Sequence, residues 1–477
     1  MRDAPPQTTN THWSEDILET DGPIDKTQGN LPPDLVGILY RNGPAKNKLA
    51  NHLFDGDGAL RAVRFAPDGT ASYQCRYVQT PKYSREQTST KPLVRGFGTQ
   101  PPGGILRNAM RGSPNQANAS NTSVMFSNGR LLTLWEMGLP WELDPDTLET
   151  LGEMSFDGAL SSRSTFSAHP RNDPVTQETY NFGMSYGPRN RIDTYRIDRN
   201  GRLFPLARTP VPVSVMNHDF ALTSKWAVFL LGPVIFNPVP LLTGKAPFGK
   251  AMTWKGDHPT TILLIPREGG KAIVFETDPW FQFHIAGAFD DQNEIVVDFC
   301  RYPEYTNIDN ALTSFRSIED DYVLDATLWR CRISPTRRTL QSTQICPIPM
   351  EFPHMDTRFA TQAQHFIYGS FSTDVSPSSF GSAIGRVNTD TGKTDLWDFG
   401  PACATSEPIF VPRKEKTTSD KIENEDGWLL AFVYNHIEHA TDLVVLDAAR
   451  LENGTVWVGR LPHHAGMTFH GVWRPHA

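Results

Sequence analysis

Of the chain's fourteen histidines, four stand in company that suggests chemistry. His169 lies in Ser167-Ala168-His169-Pro170 and His218 in Met216-Asn217-His218-Asp219-Phe220. His284 lies in Phe281-Gln282-Phe283-His284-Ile285, and His470 in Phe469-His470-Gly471-Val472-Trp473. Aromatic or methionine neighbours at three of the four point to interior positions. A single buried imidazole usually does no more than bond to backbone, whereas several converging imidazoles hold a transition metal. No local metal motif spreads its ligands so widely along a chain. These four meet only if the fold turns distant segments toward one axis.

Other candidate chemistry falls away on inspection. Thr243-Gly244-Lys245-Ala246 lacks the leading Gly and the Ser/Thr of a phosphate-binding loop. Phe54-Asp55-Gly56-Asp57-Gly58 resembles a calcium loop only briefly, because Phe65 and Ala66 stand where the closing Glu belongs. His436-Ile437-Glu438-His439 sits between two strand-like runs and reads as an exposed turn. His463 and His464 are adjacent, so on a strand they would face opposite sides. Five widely spaced cysteines with no C-x-x-C suggest neither a disulfide framework nor a thiolate zinc site.

The elements that must position the histidines are strands. Arg61 to Phe65 precedes a P-D-G turn, Arg130 to Trp135 follows N-G, and Ala272 to Phe275 follows G-G-K. Glu294 to Phe299, Trp428 to Tyr434, Leu443 to Leu446 and Thr455 to Val458 continue the series, which is a succession of hairpin signals. Helical periodicity is confined to Pro102–Arg111 and Asn310–Arg316. An all-β chain of 477 residues with no linker fits a propeller better than a sandwich, although no WD or kelch period is present. We expect a polar N-terminal segment over 1–30 and one propeller domain over 31–477. The run from Val228 to Gly249 is apolar, broken by Pro and Gly, and too irregular for a strand. It reads as a buried loop over the core or as the lip of an apolar tunnel.

A net charge of −8 without a basic patch argues against nucleic acid. The polar N-terminus lacks the apolar core of a signal peptide, and no run of 18 apolar residues exists. A reducing, cytoplasmic setting is the expectation.

Several motifs, taken together and in order, resemble the carotenoid cleavage oxygenase family, most nearly its bacterial and cyanobacterial apocarotenoid oxygenases. They are Tyr40-Arg41-Asn42-Gly43-Pro44, Phe54-Asp55-Gly56-Asp57-Gly58, the four histidine contexts, Glu351-Phe352-Pro353, Glu407-Pro408-Ile409-Phe410-Val411-Pro412-Arg413 and Phe469-His470-Gly471-Val472-Trp473. The resemblance runs from about Gly37 to Trp473. It implies a seven-bladed β-propeller with a dome of loops and short helices over one end. It also implies Fe(2+) held by His169, His218, His284 and His470, with Glu136, Glu351 and Glu407 behind three of them. Imidazole suits iron, and carboxylates behind the ligands fix each ring's tautomer. The implied reaction is cleavage of a conjugated C=C bond by O2, with Phe54, Trp135, Phe283 and Tyr302 as candidate walls of a substrate tunnel.

Two other readings compete. Relatives that cleave phenolic stilbenes carry a Lys just before the Glu of the L-x-E motif, where this chain has Trp135. A propeller without catalysis, used as a binding platform, would have no reason to keep all seven His and Glu positions. A water-insoluble substrate also implies peripheral membrane contact, for which Phe97 to Met110 and Leu230 to Phe248 are candidates, with Arg107, Arg111, Lys245 and Lys250 beside them.

Overall fold

The computed structural model describes residues 17–45, 47–104, 117–186, 190–211, 214–237, 239–305, 325–373, 381–413 and 426–476. Its strands form seven radial sheets and one small hairpin, which is a seven-bladed β-propeller. Blade 1 holds Gly37–Ala45, Asp57–Phe65 and Ala71–Tyr77, and blade 2 holds Ser123–Ser127, Arg130–Leu134, Trp141–Leu143 and Thr150–Glu153. Blade 3 is Arg171–Asp173, Glu178–Ser185, Arg191–Ile197 and Leu203–Pro210, and blade 4 is Ala221–Leu222, Trp226–Leu231, Thr260–Pro266 and Ile273–Thr277. Blade 5 is Ile285–Asp291, Glu294–Arg301, Thr327–Ser334 and Thr339–Cys346, and blade 6 is Met350–His354, Phe366–Phe371, Ala383–Asn388 and Thr394–Asp398. Blade 7 contains Gly427–Asn435, Ala440–Asp447 and Thr455–Arg460, with Cys403–Thr405 and Ile409–Pro412 both paired to Gly427–Asn435.

The chain ends close the ring. The C-terminal strand His470–Pro475 becomes the innermost strand of blade 1, in antiparallel register from Asn42↔His470 to Gly37↔Pro475. At the other end, Thr20–Pro23 pairs with the outer strand of blade 1, and Thr27–Gly29 with that of blade 7. Segment 17–30 is therefore part of the propeller's rim, ahead of the boundary at 31 that composition suggested. Polar composition and outermost position agree, since a rim strand faces water.

Burial explains which strands announce themselves in sequence. Gly427–Asn435 is buried at all but its last residue, because a mid-blade strand is covered by a neighbouring blade on each face. The rim strand Thr339–Cys346 largely alternates between exposed and half-buried positions. The Asn128-Gly129 pair has both φ angles positive (52° and 75°), the geometry of a tight hairpin turn whose twist matches its strands.

Part of the run expected to be irregular is strand. Trp226–Leu231 is the second strand of blade 4, and Val234–Phe236 pairs with Met252–Trp254 as a separate hairpin. The partner of the second pairing lies beyond the apolar run, so its register was not legible locally. Both proposed helices, Pro102–Arg111 for most of its length and Asn310–Arg316, lie outside the described residues, as do Arg107 and Arg111. The five cysteines are free and buried.

Candidate metal centre

Each blade delivers one residue to the end of the propeller axis. His169 lies just ahead of the innermost strand of blade 3, His218 ahead of that of blade 4, and His284 directly before that of blade 5. His470 opens the innermost strand of blade 1, and Glu351 lies in that of blade 6. Glu136 follows Arg130–Leu134 in blade 2, and Glu407 lies between the two short strands of blade 7. The four imidazoles thus occupy equivalent places in different blades, which is why their spacing in sequence carried no local motif.

The four ligand nitrogens lie within 4.8 Å of one another. Nε2 of His169 is 2.8 Å from Nε2 of His218, which is 3.3 Å from Nε2 of His284. Nitrogens about 2.1 Å from one metal and at right angles to each other would lie about 3 Å apart, so the cluster fits a single ion. Its donor set, four imidazoles, suits iron.

The outward nitrogens meet carboxylates. His284 Nδ1 donates to Glu351 Oε2 at 2.5 Å, and His470 Nδ1 donates to Glu407 Oε1 at 3.0 Å. His218 Nδ1 is paired with Glu136. With Nδ1 carrying the proton, each Nε2 lone pair is turned inward. Among the described residues, His169 has no carboxylate within hydrogen-bond distance of its ring. Glu351 Oε2 also accepts from the Phe352 amide at 2.7 Å, and Glu407 Oε2 from the Gly471 amide at 2.9 Å. Phe352 reaches its place with φ at 53°, inside a register shift of the blade 6 strand. Such bulges re-aim side chains beside functional sites.

Burial works to raise the Glu407 carboxyl, but the His470 imidazole, with His354 and Arg41 behind it, overcomes this and holds the acid at about 2. Burial works against Glu351 as well, and there His284 and the Phe352 amide keep the carboxyl below its ordinary value. The His169 ring is pushed well down, first by burial and then by the other three histidines, so it stays neutral with a lone pair to offer.

Two arginines that composition could not single out brace this floor. Arg41 is fully buried and donates to the Glu407 carbonyl at 2.7 Å, to Thr468 Oγ1 at 2.8 Å and to the Phe469 carbonyl at 3.3 Å. It ties the Glu407 segment to the His470 strand. Burial draws its guanidinium down to about 10 against the pull of Glu407, so it remains a cation at neutral pH. Arg171 ties three other strands through Asp219. The Y-R-N-G-P motif was the one sequence signal for Arg41; nothing local marked Arg171.

The candidate tunnel residues divide. Phe283 packs edge-on to His218 at 5.3 Å, and Phe54 edge-on to Phe469 at 5.8 Å, beside His470. Trp135 is half-buried next to Glu136. Tyr302 does not belong to an accessible wall. It has no exposed surface, stands behind Phe281 and Phe283, and interacts electrostatically with Glu351. Further aromatic contacts, missed by the sequence, lead outward from Phe54. Phe54 meets Phe97 at 5.2 Å, Phe97 meets Phe248 at 6.1 Å, and Phe248 meets Phe236 at 4.9 Å, reaching the hairpin outside the blades.

The dismissed motifs have structural work. Asp55 accepts from the Gly98 amide at 2.9 Å and Thr99 Oγ1 at 2.7 Å, and Asp57 pairs with Lys82 at 2.6 Å. His436-Ile437-Glu438-His439 spans a turn in which Glu438 pairs with Arg460 at 2.6 Å.

Residues 15–475 match the model of the family described as retinal pigment epithelial membrane protein. The apocarotenoid-15,15′-oxygenase of Synechocystis sp. is 32% identical over 97% of this chain and 93% of its own. The isoeugenol monooxygenase of Pseudomonas putida is 30% identical over 94% of this chain and 93% of its own, and resveratrol cleavage oxygenase 1 of Aspergillus fumigatus is 30% identical over 93% and 91%. The crystal structure of cobalt-substituted Synechocystis ACO superposes with a TM-score of 0.91 at 30% identity, covering 99% of both chains.

Proposed function

We infer the reaction from one premise: this chain belongs to the retinal pigment epithelial membrane protein family, the carotenoid cleavage oxygenases. The proposed reaction is cleavage of a conjugated C=C bond in a carotenoid or apocarotenoid by O2. One O2 is consumed, the double bond breaks, and each of its carbons leaves as an aldehyde carbonyl. The observation that carries this reading is the four-histidine centre set against an aromatic wall. Bound at His169, His218, His284 and His470, Fe(II) supplies the activation of dioxygen. The rest is the chain's own work. Glu136, Glu351 and Glu407 hold protons on three Nδ1 atoms, while Phe283, Phe54 and Phe97 exclude water and align a flat polyene by apolar packing. The test is incubation with several carotenoids and apocarotenals in detergent, with identification of products before and after metal removal. Paired aldehyde products that disappear with the metal and return with iron support the reading. An iron-loaded protein that leaves every polyene intact would refute it and favour the binding platform.

The isoeugenol and resveratrol relatives make a phenolic substrate the second reading. A phenol oxygen in an apolar site needs a polar or cationic partner, and Trp135 offers an apolar face at the place where stilbene cleavers carry Lys. A hydroxystilbene is expected to show kcat/KM at least about tenfold below that of an apocarotenal, the cost of roughly one unmet hydrogen bond. Equal values would reverse the preference.

A cytoplasmic protein that touches the membrane surface is the accompanying proposal, because a carotenoid must be drawn from lipid. No helix among the described residues is long and apolar enough to cross a membrane. The aromatic wall leads to the hairpin Val234–Phe236, but Val234 and Phe236 are themselves buried. Among the described residues, Val239 is a large apolar side chain exposed there, at 58%, with exposed Lys245 and Lys250 nearby in sequence to meet headgroups. Val239→Asp is expected to reduce binding to anionic liposomes several-fold while activity in detergent stays at the wild-type level. Unchanged liposome binding would remove this segment from the contact.

A further inference from the structure

We propose that half-buried Arg171 and buried Asp219 form a staple that sets the spacing of His169, His218 and His284, and through it the affinity and coordination geometry of the metal. The proposal rests on the four-histidine reading above. Arg171 follows His169 by two residues, Asp219 follows His218 by one, and Ile285 follows His284 by one. The pair joins all three places. Asp219 Oδ2 is paired with Arg171 Nη2 and accepts from the Ile285 amide at 2.8 Å, while Oδ1 accepts from the Phe220 amide at 2.7 Å. Arg171 answers on the same strands, with Nη2 donating to the Ile285 carbonyl at 2.7 Å and Nε to the Phe220 carbonyl at 3.1 Å. The innermost strands of blades 3, 4 and 5 are thereby linked beside their ligands.

The linkage has a reason to exist at this spot. Arg171–Asp173 is only three residues long and Ala221–Leu222 only two, so neither strand has much ladder of its own to hold it in place. Their ligand nitrogens must nevertheless keep a mutual distance near 3 Å, and a displacement of about 0.5 Å is enough to spoil a metal site. The Asp219 side chain is 1% exposed, so its bonds to Arg171 and two amides are little weakened by solvent. The planar guanidinium reaches a carboxylate and two carbonyls at once, which an ammonium could not do with the same geometry. Arg171 and Asp219 are positioning residues: they act on the metal through the histidines.

A more deeply buried pair that starts from the same strand supplies a control. Asp173, two residues after Arg171, pairs with Arg267 at 2.8 Å, and their side chains are 3% and 4% exposed. It also binds blade 3 to blade 4, since Arg267 donates to the Thr223 carbonyl at 2.9 Å, but it touches no ligand-bearing residue. The experiment is titration of metal-free protein with Co(II), followed by calorimetry and by the visible absorption of the bound ion. The wild type is expected to take up one Co(II) per chain. Asp219→Asn should weaken Co(II) binding by about tenfold or more, in the range found for groups behind metal ligands, and shift the absorption bands. Asp173→Asn should lower the melting temperature yet leave Co(II) affinity and spectrum as in the wild type. Should Asp219→Asn not fold, Arg171→Lys is measured in its place and is expected to lose affinity in the same sense. Wild-type Co(II) affinity in the staple variant, or equal losses in Asp219→Asn and Asp173→Asn, would overturn the proposal. A wild-type protein that binds no Co(II) would instead overturn the four-histidine reading, and this proposal with it.

Discussion

His470→Ala is expected to yield a folded protein that retains little iron and little activity, with metal affinity down by at least about 100-fold, beyond what groups behind the ligands usually cost. Three imidazoles from blades 3, 4 and 5 would remain, but they approach from one side, and His470 alone comes from blade 1. Its ring lies 4.7 Å from that of His169 and 4.9 Å from that of His284, so its loss opens the cluster on the opposite flank. It also strands Glu407, whose acidity depends on the imidazole it faces once burial is counted against it. Metal content and turnover of the purified variant check this. Full iron occupancy would remove His470 from the ligand set. Truncation after Phe469 is a poorer test, because residues 470–475 also close the ring against Gly37–Asn42 and their loss would unfasten blade 1.

The second large effect is expected from the carboxylates. Glu407→Gln and Glu351→Gln should each cost about 10–100-fold in metal affinity or turnover with the fold intact. In both cases one carboxylate serves two donors, an imidazole Nδ1–H and a backbone amide. At Glu407 the two donors take separate oxygens, so glutamine turns an NH2 toward one of them, whereas at Glu351 both donors meet Oε2 and glutamine removes only the charge that faces His284. Glu136→Gln should cost less, since its side chain is 27% exposed and water can share the load. Glu142→Gln, a carboxylate of blade 2 paired with exposed Arg130, is the control and should leave both quantities unchanged. Wild-type metal affinity and turnover in all three site variants would mean that these carboxylates support only the fold.

The N-G turn, the strand Glu294–Arg301 and the strand Gly427–Asn435 were legible because short apolar runs and the turn residues that bound them act over a few residues. Tyr302 was misplaced because an aromatic residue near a site reads the same whether it forms the wall or stands behind it. Val234–Phe236 was misread because its hydrogen-bond partner lies at Met252–Trp254, outside the window in which its own pattern could be judged.

The sequence by itself determined the all-β class, the histidine contexts and, through ordered motifs, the family resemblance with its seven His and Glu positions. All of these reside in residue type and short-range order. Only the tertiary structure decided that each blade supplies one of those seven residues, that Arg41 and Arg171 brace them, and that aromatic rings make successive contacts from Phe54 to Phe236. The physical reason is ring closure. Once His470–Pro475 docks on Gly37–Asn42, the innermost strand ends come together about a single axis, and side chains far apart along the chain meet at distances that no local pattern encodes.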